Sequence, residues 1–307
     1  MTCLGLAKGM SYEADELLNT AIMTKIPVVI VEGLHDIPIY ERIMLSIGKE
    51  CDIYASENIL CEKPGCAGVE ENILSIREAS DNVEIEPYVL GIVDRDARYY
   101  RGEIPNDTAL LVLEMYSIET HFVSLEAVRI LIEHTTRATR NLVSEEDLEA
   151  IYSNIIAKLS DLFLYSLEAL RKACDRDYVA CFGYADKIKA ILNSGHEQAL
   201  AEKESELMDF ALRNNVPFGW EGLISICKGK WLLELFIDEF RKSASVFPND
   251  CREGVISQCQ SCLRNAYQNC LYKLAANFDT PQLQQILFQD VSQSNFDYIK
   301  TRLSSLV

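Results

Sequence analysis

Short, unbroken apolar runs separated by longer polar segments dominate the first 124 residues of the chain. Val28–Val31 reads VVIV, and residues 88–93 (YVLGIV) and 109–113 (ALLVL) have the same character. Runs of this length that are rich in β-branched residues are typical of strands buried on both faces, as in a parallel sheet. Asp52–Ala55 is a fourth candidate strand. The alternation predicts an α/β fold in which a mostly parallel sheet is flanked by helices.

The segments between and after these runs have features of helices. Residues 11–24 begin with acidic side chains, and Ile39, Ile43 and Ile47 recur at helical spacing, so we predict helices over 11–24, 37–47, 69–79 and 119–134. Amphipathic segments then follow with few strand-like runs, at 145–161, 164–173, 186–193, 198–213, 222–247, 249–278 and 281–306. A break is expected at Pro248. The chain is predicted to divide into an α/β domain, 1–124, and a mainly helical domain, 125–307.

The composition argues against several classes of protein. Acidic residues outnumber basic ones by 47 to 29, which gives a net charge of −18. Such a chain has no general electrostatic attraction for nucleic acid, so a nucleic-acid substrate must be contacted locally or through bound metals. No apolar run reaches the roughly 18 residues that span a bilayer, and residues 1–15 lack a signal-peptide pattern. Eleven cysteines in a chain of this kind are expected to be reduced, which favours a cytoplasmic location.

Acidic residues follow three of the predicted strands. Glu32 and Asp36 come after the first strand, Asp94 and Asp96 after the third, and Glu119 after the fourth. Because the carboxyl ends of parallel strands meet at one edge of a sheet, where ligands bind, we expect these five carboxylates to converge. Residues 1–120 carry a net charge of −13 and residues 121–307 only −5, so the acidic excess is concentrated where this site is expected.

Five neighbouring carboxylates repel one another, and bound cations relieve that repulsion. Hard oxygen ligands favour Mg²⁺ or Mn²⁺, and two such ions suit the displacement of a phosphodiester. Gly33 is expected to fit a sharp turn in which a side chain would obstruct the site. The alternative is that these acids only cap helices, as Asp36 would do for the helix at 37–47.

Three motifs, VVIVEGLHD (28–36), GIVDRD (91–96) and YSIE (116–119), resemble the TOPRIM domain. That domain has a Glu after its first strand, an Asp-x-Asp after its third and a further Glu after its fourth. The spacing and the YSIE element are similar to those of the OLD-family TOPRIM nucleases. A TOPRIM domain with a helical C-terminal half is most similar to the AriB-like effectors of PARIS anti-phage defence systems. The motif match covers about the first 120 residues.

The resemblance implies an endonuclease that hydrolyses phosphodiesters with Mg²⁺ or Mn²⁺. Glu32 would be a metal ligand or general base, Asp94 and Asp96 would hold metal, and Asp36 and Glu119 would complete the site.

OLD-type nucleases also use a lysine to stabilise charge in the transition state. Lys228 and Lys230 are the candidates for that lysine here, and Lys230 is preferred; a basic helix start is the alternative.

The resemblance also implies partners. AriB-like effectors are held inactive by an ABC-type ATPase (AriA-like), are released by a phage-encoded trigger, act as homodimers and cleave host tRNA. The chain contains no GxxxxGK[ST] loop, so an ATPase activity would have to come from such a partner. An OLD-like DNA nuclease and a non-catalytic, partner-binding subunit are the alternatives.

Basic and aromatic residues lie in and beside the Asp-x-Asp motif. We predict that Arg95, Arg98, Tyr99 and Arg101 bind nucleic acid, since arginine grips phosphate and an aromatic ring stacks on an unpaired base. The alternative is a solvated loop whose arginines balance nearby acids.

Four cysteines in the C-terminal part include one CxxC pair. Cys251, Cys259, Cys262 and Cys270 are spaced by 8, 3 and 8 residues within the predicted helix 249–278. That spacing places them near one helix face, where cysteine behaves as a small core hydrophobe, and this interpretation is favoured over a zinc site.

A phosphoacceptor signalling domain also collects acids at strand ends around Mg²⁺. Such domains have one phosphorylated Asp after the third strand, and here the Glu-Gly after the first strand and the Asp-x-Asp fit that pattern poorly.

Overall fold

The computed structural model describes residues 13–59, 61 and 63–307. Among these residues the strands are β1 (Val28–Val31), β2 (Asp52–Ala55), β3 (Val89–Val93) and β4 (Leu110–Val112). The first helices are α1 (Ala14–Thr24), α2 (Ile37–Ser46), α3 (Gly65–Ala79), α4 (Asp96–Tyr100) and α5 (Leu125–Thr135). They are followed by α6 (Glu145–Leu159), α7 (Leu162–Cys174), α8 (Ile188–Asn193), α9 (Glu197–Arg213) and α10 (Trp220–Ile226). The last are α11 (Gly229–Glu253), α12 (Gln260–Leu263), α13 (Thr280–Phe288) and α14 (Asp297–Ser304). Short 3₁₀ turns lie at Ser56–Asn58, Ile118–Phe122, Tyr267–Asn269 and Ser294–Phe296.

The four strands form one parallel sheet in the order β2-β1-β3-β4. From β1 the chain passes to β2 on one side, and β3 lies on the other, so the order reverses between β1 and β3. In open parallel sheets such a reversal opens a crevice at the carboxyl ends of the two strands. The prediction of a parallel sheet flanked by helices, with a helical C-terminal part, is confirmed.

The sheet is buried on both faces, as its unbroken apolar runs predicted. Every residue of β1 and β3 is buried. Val28 and Ile30 pack in one cluster with Leu17 of α1 and Ile73 of α3. Because side chains alternate along a strand, Val29 and Val31 face the opposite side.

Helix boundaries agree with the predictions where the local signals are strong. The helix predicted over 11–24 corresponds to α1 (Ala14–Thr24). Residues 11 and 12 of that prediction lie outside the described residues. The single helix predicted over 119–134 is wrong: a 3₁₀ turn (Ile118–Phe122) and α5 take its place. Ser124 separates them because its hydroxyl accepts a hydrogen bond from the backbone N–H of Ala127 at 3.0 Å and starts a new helix.

Three further predictions in the C-terminal half are corrected. The helix predicted over 222–247 is divided into α10 and α11, and the one over 281–306 into α13 and α14. The break expected at Pro248 does not occur, because α11 continues through it to Glu253. Its buried face continues on both sides of the proline, with Phe247 before it and Cys251 after it, and this packing offsets the backbone hydrogen bond that proline cannot make.

The helix predicted over 249–278 is also wrong. Between α11 and α13 the described chain forms only the four-residue α12 and the three-residue 3₁₀ turn Tyr267–Asn269. Gly254 and Asn265 adopt positive φ values of 75° and 60°, and such left-handed residues end helices. The four cysteines therefore do not lie along one helix face.

The chain forms two compact units. The first consists of residues 1–94, 104–113 and 296–307, and the second of residues 95–103 and 114–295. The first unit contains the sheet, α1 to α3 and the C-terminal α14, which packs against α2. The second is helical. Within the part of the chain that the structure describes, no helix has the length and apolar character needed to cross a membrane.

Candidate functional site

Glu32 and Asp94 meet at the crevice between β1 and β3 in the first unit. Each directly follows the last residue of its strand. The backbone N–H of Asp94 donates a hydrogen bond of 2.7 Å to Oε1 of Glu32. A carboxylate that accepts a bond from the neighbouring strand end is fixed in position. The sequence prediction that these two acids come together is thus fulfilled in the geometry, whereas their roles as metal ligands stay predictions.

The start of α3 and the preceding 3₁₀ turn also hold Glu32. The thiol of Cys66 donates to the same Oε1 at 2.8 Å. The Glu32 carbonyl accepts bonds of 3.0 Å from the Gly65 N–H and from the Ser56 hydroxyl. Backbone and side chain of Glu32 are therefore both anchored, which is the rigidity expected of a residue that must keep a fixed geometry.

Asp36 precedes α2 but does not cap it. Its side chain makes no capping hydrogen bond to the helix. Instead Oδ2 accepts a bond of 3.1 Å from the backbone N–H of Gly33, which turns the carboxylate back towards the end of β1. Simple capping of the helix at 37–47 therefore does not explain this residue.

Gly33 is not required by the protein atoms around it, and its predicted role of leaving room for a ligand stays a prediction. A methyl group added there would lie 4.0 Å from Oδ2 of Asp36, its nearest neighbour. That is an ordinary van der Waals contact, so a small side chain would not obstruct this turn.

Tyr40 lies near the three candidate-site acids of the first unit, Glu32, Asp36 and Asp94. Its side chain is buried in α2. Burial, and then the negative charges of Asp36, Asp94 and Glu32 together with Tyr298, raise the pKa of Tyr40 well above its ordinary value. All three carboxylates therefore lie close enough to one buried hydroxyl to act on it. Nothing in the sequence motif indicated Tyr40, because its place depends on how α2 packs on the sheet.

Asp96 belongs to the second unit and has an unusual backbone. Its φ is +26°, a region that non-glycine residues rarely adopt and that is common at functional positions. Its Oδ1 accepts a bond of 2.6 Å from the backbone N–H of Arg98. Burial raises the pKa of Asp96, and this hydrogen bond and the charges of Arg98 and Arg101 partly oppose that shift. Asp96 therefore acts locally as a helix-start acceptor, and its metal role stays a prediction.

Glu119 is positioned by the N-terminus of α11. The hydroxyl of Ser117 donates to Oε2 of Glu119 at 2.6 Å. A methyl group at Gly229 would lie 2.1 Å from Oγ of Ser117 and 3.1 Å from Oε2 of Glu119. A side chain would fit there only if Ser117 rotated or α11 shifted, so glycine lets α11 approach Glu119 with these contacts intact. Ser117 and Gly229 were not singled out by the sequence, since only the packing of α11 gives them a role.

The two candidate lysines differ in their surroundings. Lys228 donates through Nζ to the carbonyl of Tyr184 at 2.7 Å, and burial followed by the charge of Lys230 lowers its pKa. Lys230 is 74% exposed, and its Nζ lies 4.0 Å from Oε1 of Glu119. Lys228 is thus occupied by a backbone carbonyl, and Lys230 presents its ammonium to solvent beside an acid of the candidate site. The preference for Lys230 as the catalytic lysine stays a prediction.

The predicted nucleic-acid-binding residues fall into two groups. The guanidinium of Arg95 lies 3.9 Å from the ring centre of Tyr99, which is 46% exposed. Arg101 instead forms two bonds of 2.7 Å to the carboxylate of Glu103 and one of 3.0 Å to the carbonyl of Ala173. Arg98 also approaches Glu103, at 3.7 Å.

Arg95 is therefore half-buried beneath the exposed ring of Tyr99 and also donates to the carbonyl of Glu114 at 3.1 Å. Arg98 and Arg101 contact a neighbouring acid, as the alternative interpretation of this segment expects. Binding of nucleic acid by any of the four stays a prediction.

Comparisons with known proteins do not place the chain in a family. No protein-family profile matches its sequence, and no curated protein is detectably similar to it. The TOPRIM resemblance thus rests on the three motifs and on the residues themselves.

Proposed function

We propose that this chain is a divalent-metal-dependent nuclease of the TOPRIM class. The observation that carries the proposal is the hydrogen bond of 2.7 Å between the Asp94 amide and the Glu32 carboxylate. It joins the ends of β1 and β3, where parallel sheets bind their ligands. This position of Glu32 and Asp94 supports the proposal that they act together as metal ligands.

The residues present fit a hard divalent ion. Glu32, Asp36 and Asp94 supply only carboxylate oxygens, which Mg²⁺ and Mn²⁺ prefer. Burial, and then the negative charges of Asp36, Asp94 and Glu32, raise the pKa of Tyr40, so the three carboxylates share one neighbourhood. Bound ions would balance that charge and polarise a phosphoryl oxygen. We propose that Glu32, Asp36 and Asp94 of the first unit bind Mg²⁺ or Mn²⁺, as two ions in the manner of the OLD-type nucleases that the motifs resemble. The metal roles of Asp96 and Glu119, which belong to the second unit, stay predictions from the sequence.

The chain's own residues then have separate tasks. Glu32 is held on Oε1 by Asp94 and Cys66, so its carboxylate is preorganised as metal ligand or general base. Lys230, with its exposed ammonium, stabilises charge that develops on the phosphate in the transition state. Arg95 stacked on Tyr99 offers a platform for an unpaired base, which suits a single-stranded loop better than a stacked duplex.

The proposed biological role follows the same resemblance. We propose an anti-phage effector that cleaves host tRNA after release from an ABC-type ATPase partner by a phage-encoded trigger, acting as a homodimer. With a net charge of −18, the chain has no general electrostatic attraction for nucleic acid. We therefore propose that it contacts RNA only locally and that a partner covers part of its acidic surface.

The experiment compares wild-type protein with Glu32→Gln in cells, together with sequencing of RNA 5′ and 3′ ends. Glutamine keeps an oxygen that can accept both bonds to Oε1 but removes the charge, so fold and partner binding are preserved while cleavage is lost. Glu41→Gln is the matched control, because Glu41 is an exposed acid on α2. Cleavage by purified protein is expected to require Mg²⁺ or Mn²⁺ and to stop with EDTA.

The possible results separate the alternatives. Glu32→Gln protein that still cleaves and is still toxic would overturn the catalytic assignment. Unchanged tRNA with fragmented DNA would refute the RNA substrate and favour an OLD-like DNA nuclease. Toxicity that persists without any nuclease activity would support a partner-binding subunit.

A phosphoacceptor domain is a second candidate, because such domains share the strand order 2-1-3-4 found here. It predicts stable labelling of Asp94 by acetyl phosphate and loss of the label in Asp94→Asn. The nuclease proposal predicts no stable label.

A further inference from the structure

The four cysteines of the C-terminal half come together in the second unit. Cys251, Cys259, Cys262 and Cys270 are all reduced and buried, and each is at most 3% exposed. Their Sγ atoms all lie within 4.8 Å of one another. They reach this place from separate elements: the last turn of α11, the start and body of α12, and the end of the following 3₁₀ turn. A converging set of this kind differs from cysteines that fill a core singly.

The distances suit one tetrahedral ion. Zinc binds thiolate sulfur at about 2.3 Å, which sets sulfur–sulfur distances of roughly 3.8 Å in a regular tetrahedron. The sulfurs of Cys259 and Cys270 are 4.0 Å apart, about twice the 2.05 Å of a disulfide bond. An iron–sulfur cluster contains several metal ions and keeps its ligand sulfurs farther apart than a single ion does.

A backbone amide compensates part of the charge that four thiolates would carry. The N–H of Cys259 donates to Sγ of Cys251 at 3.3 Å. Outer hydrogen bonds of this kind orient metal ligands and balance their negative charge. The buried ring of Tyr272, which is 0% exposed, adds an apolar wall close to the cysteines.

The surrounding chain has little regular structure of its own. From residue 254 to residue 279 it forms only a four-residue helix and a three-residue 3₁₀ turn. It contacts the rest of the second unit through a few hydrogen bonds, such as Ser257 N–H to Asp147 at 2.9 Å and Arg137 N–H to the Leu271 carbonyl at 2.8 Å. Segments with so few backbone hydrogen bonds of regular secondary structure are commonly fixed by a metal or by disulfides.

We propose that Cys251, Cys259, Cys262 and Cys270 bind one Zn²⁺ as a closed, structural tetrathiolate site. Four S–H bonds are replaced by four Zn–S bonds and four protons pass to solvent, with no change of oxidation state. Since all four positions are taken by cysteine, the site has no open position for catalysis. Its role is to fix residues 251–270 and the C-terminal end of α11. It is independent of the carboxylate site in the first unit.

The full-length protein, purified under reducing conditions without added chelator, is analysed for metals by mass spectrometry. We expect one zinc per chain. Replacement of zinc by Co²⁺ should give the visible absorption bands of a tetrahedral cobalt thiolate. Cys262→Ser should reduce the zinc content to near zero, whereas Cys262→His, which supplies another zinc ligand, should retain it. Cys227→Ser is the matched control, because Cys227 is equally buried and lies outside the cluster.

The wild-type measurement keeps the proposal open to refutation even where a variant fails to fold. Reduced wild-type protein that contains no zinc and takes up neither Zn²⁺ nor Co²⁺ would overturn it. One iron per chain in place of zinc would overturn the assignment of the metal. Equal loss of zinc in Cys227→Ser and Cys262→Ser would show that zinc is bound elsewhere.

Discussion

Replacing Gly229 by alanine tests how α11 positions the candidate catalytic acid. In most helices this substitution stabilises the fold by up to about 1 kcal/mol, because alanine has the higher helix propensity. Here the added methyl group would lie 2.1 Å from Oγ of Ser117 and 3.1 Å from both Cβ and Oε2 of Glu119. The shortest of these distances is impossible, so Ser117 must rotate or α11 must shift.

The magnitude follows from what is lost. Rotation of Ser117 breaks its 2.6 Å hydrogen bond to the Glu119 carboxylate, and a bond to a charged group contributes about 1.5–3 kcal/mol. Overpacking of a well-filled site costs about 1–3 kcal/mol. Rotation of Ser117 and a shift of α11 are alternatives, so their costs do not add. After the propensity gain is subtracted from either cost, we expect Gly229→Ala to lower the free energy of unfolding of its unit by about 1–2 kcal/mol. Because Glu119 loses its orienting bond, cleavage activity should fall as well.

The assay is urea unfolding followed by tryptophan fluorescence, since Trp231 lies in the first turn of α11. Ser117→Ala removes the clashing oxygen. In that background Gly229→Ala should therefore lower the free energy of unfolding by about 1 kcal/mol less than it does in wild type. Gly33→Ala is the control, since its methyl group meets no atom closer than 4.0 Å. A Gly229→Ala protein as stable as wild type, or a cost that is the same with and without Ser117, would refute this reasoning.

Three other predictions concern buried charge and hydrogen bonding. Glu32→Ala leaves the Asp94 amide without its acceptor and should lower the free energy of unfolding by about 1–3 kcal/mol. Glu32→Gln should be at least as stable as wild type, because it removes one of three neighbouring negative charges. Equal melting temperatures for the two variants would contradict this prediction. Burial lowers the pKa of His121 to about 4, against 6.5 for the ordinary group. The unfolded chain therefore binds a proton between these values that the folded chain does not, and stability should decrease by up to about 3 kcal/mol as pH falls from 6.5 to 4. His121→Asn can still donate a hydrogen bond to the Ser117 carbonyl but does not titrate. In this variant the free energy of unfolding should depend less on pH between 4 and 6.5. An unchanged pH dependence would show that His121 is not the group responsible. Glu168, which is 0% exposed, accepts bonds from the Cys181 amide at 2.7 Å and Lys203 at 3.0 Å. Glu168→Ala leaves the partly buried ammonium of Lys203 without its carboxylate and should lower the free energy of unfolding by about 3–5 kcal/mol, measured by thermal unfolding. A decrease below about 1 kcal/mol would show that this ion pair is dispensable.

The sequence determined the sheet and the position of its acids. β1 and β3 are buried on both faces, so their apolar runs have no polar residues and stand out from the polar segments around them. Once both strands are parallel and adjacent, the residues that directly follow them must share one edge of the sheet. Glu32 and Asp94 could therefore be placed at one edge of the sheet from local patterns, whereas the strand order that puts β1 beside β3 was decided by the tertiary structure.

The acids farther from a strand end were less predictable. Asp36 follows β1 by several residues, and its pattern is equally typical of a helix cap. Only the structure shows that its carboxylate accepts the Gly33 N–H instead of capping α2. Tyr40 was missed for a related reason: apolar periodicity explains its burial, and only the fold reveals the carboxylates around its hydroxyl.

Tertiary packing decided the C-terminal half. Apolar spacing predicted a helix over 249–278, but this spacing does not distinguish one buried helix face from several short segments around a shared centre. The four cysteines converge because the chain turns at Gly254 and Asn265, and a helix through these residues would have separated their sulfurs. Pro248 is the opposite case, in which the packing of Phe247 and Cys251 preserves a helix that local chemistry predicts to end. Local periodicity thus fixes which residues are buried, whereas contacts between residues distant in sequence fix which buried residues meet.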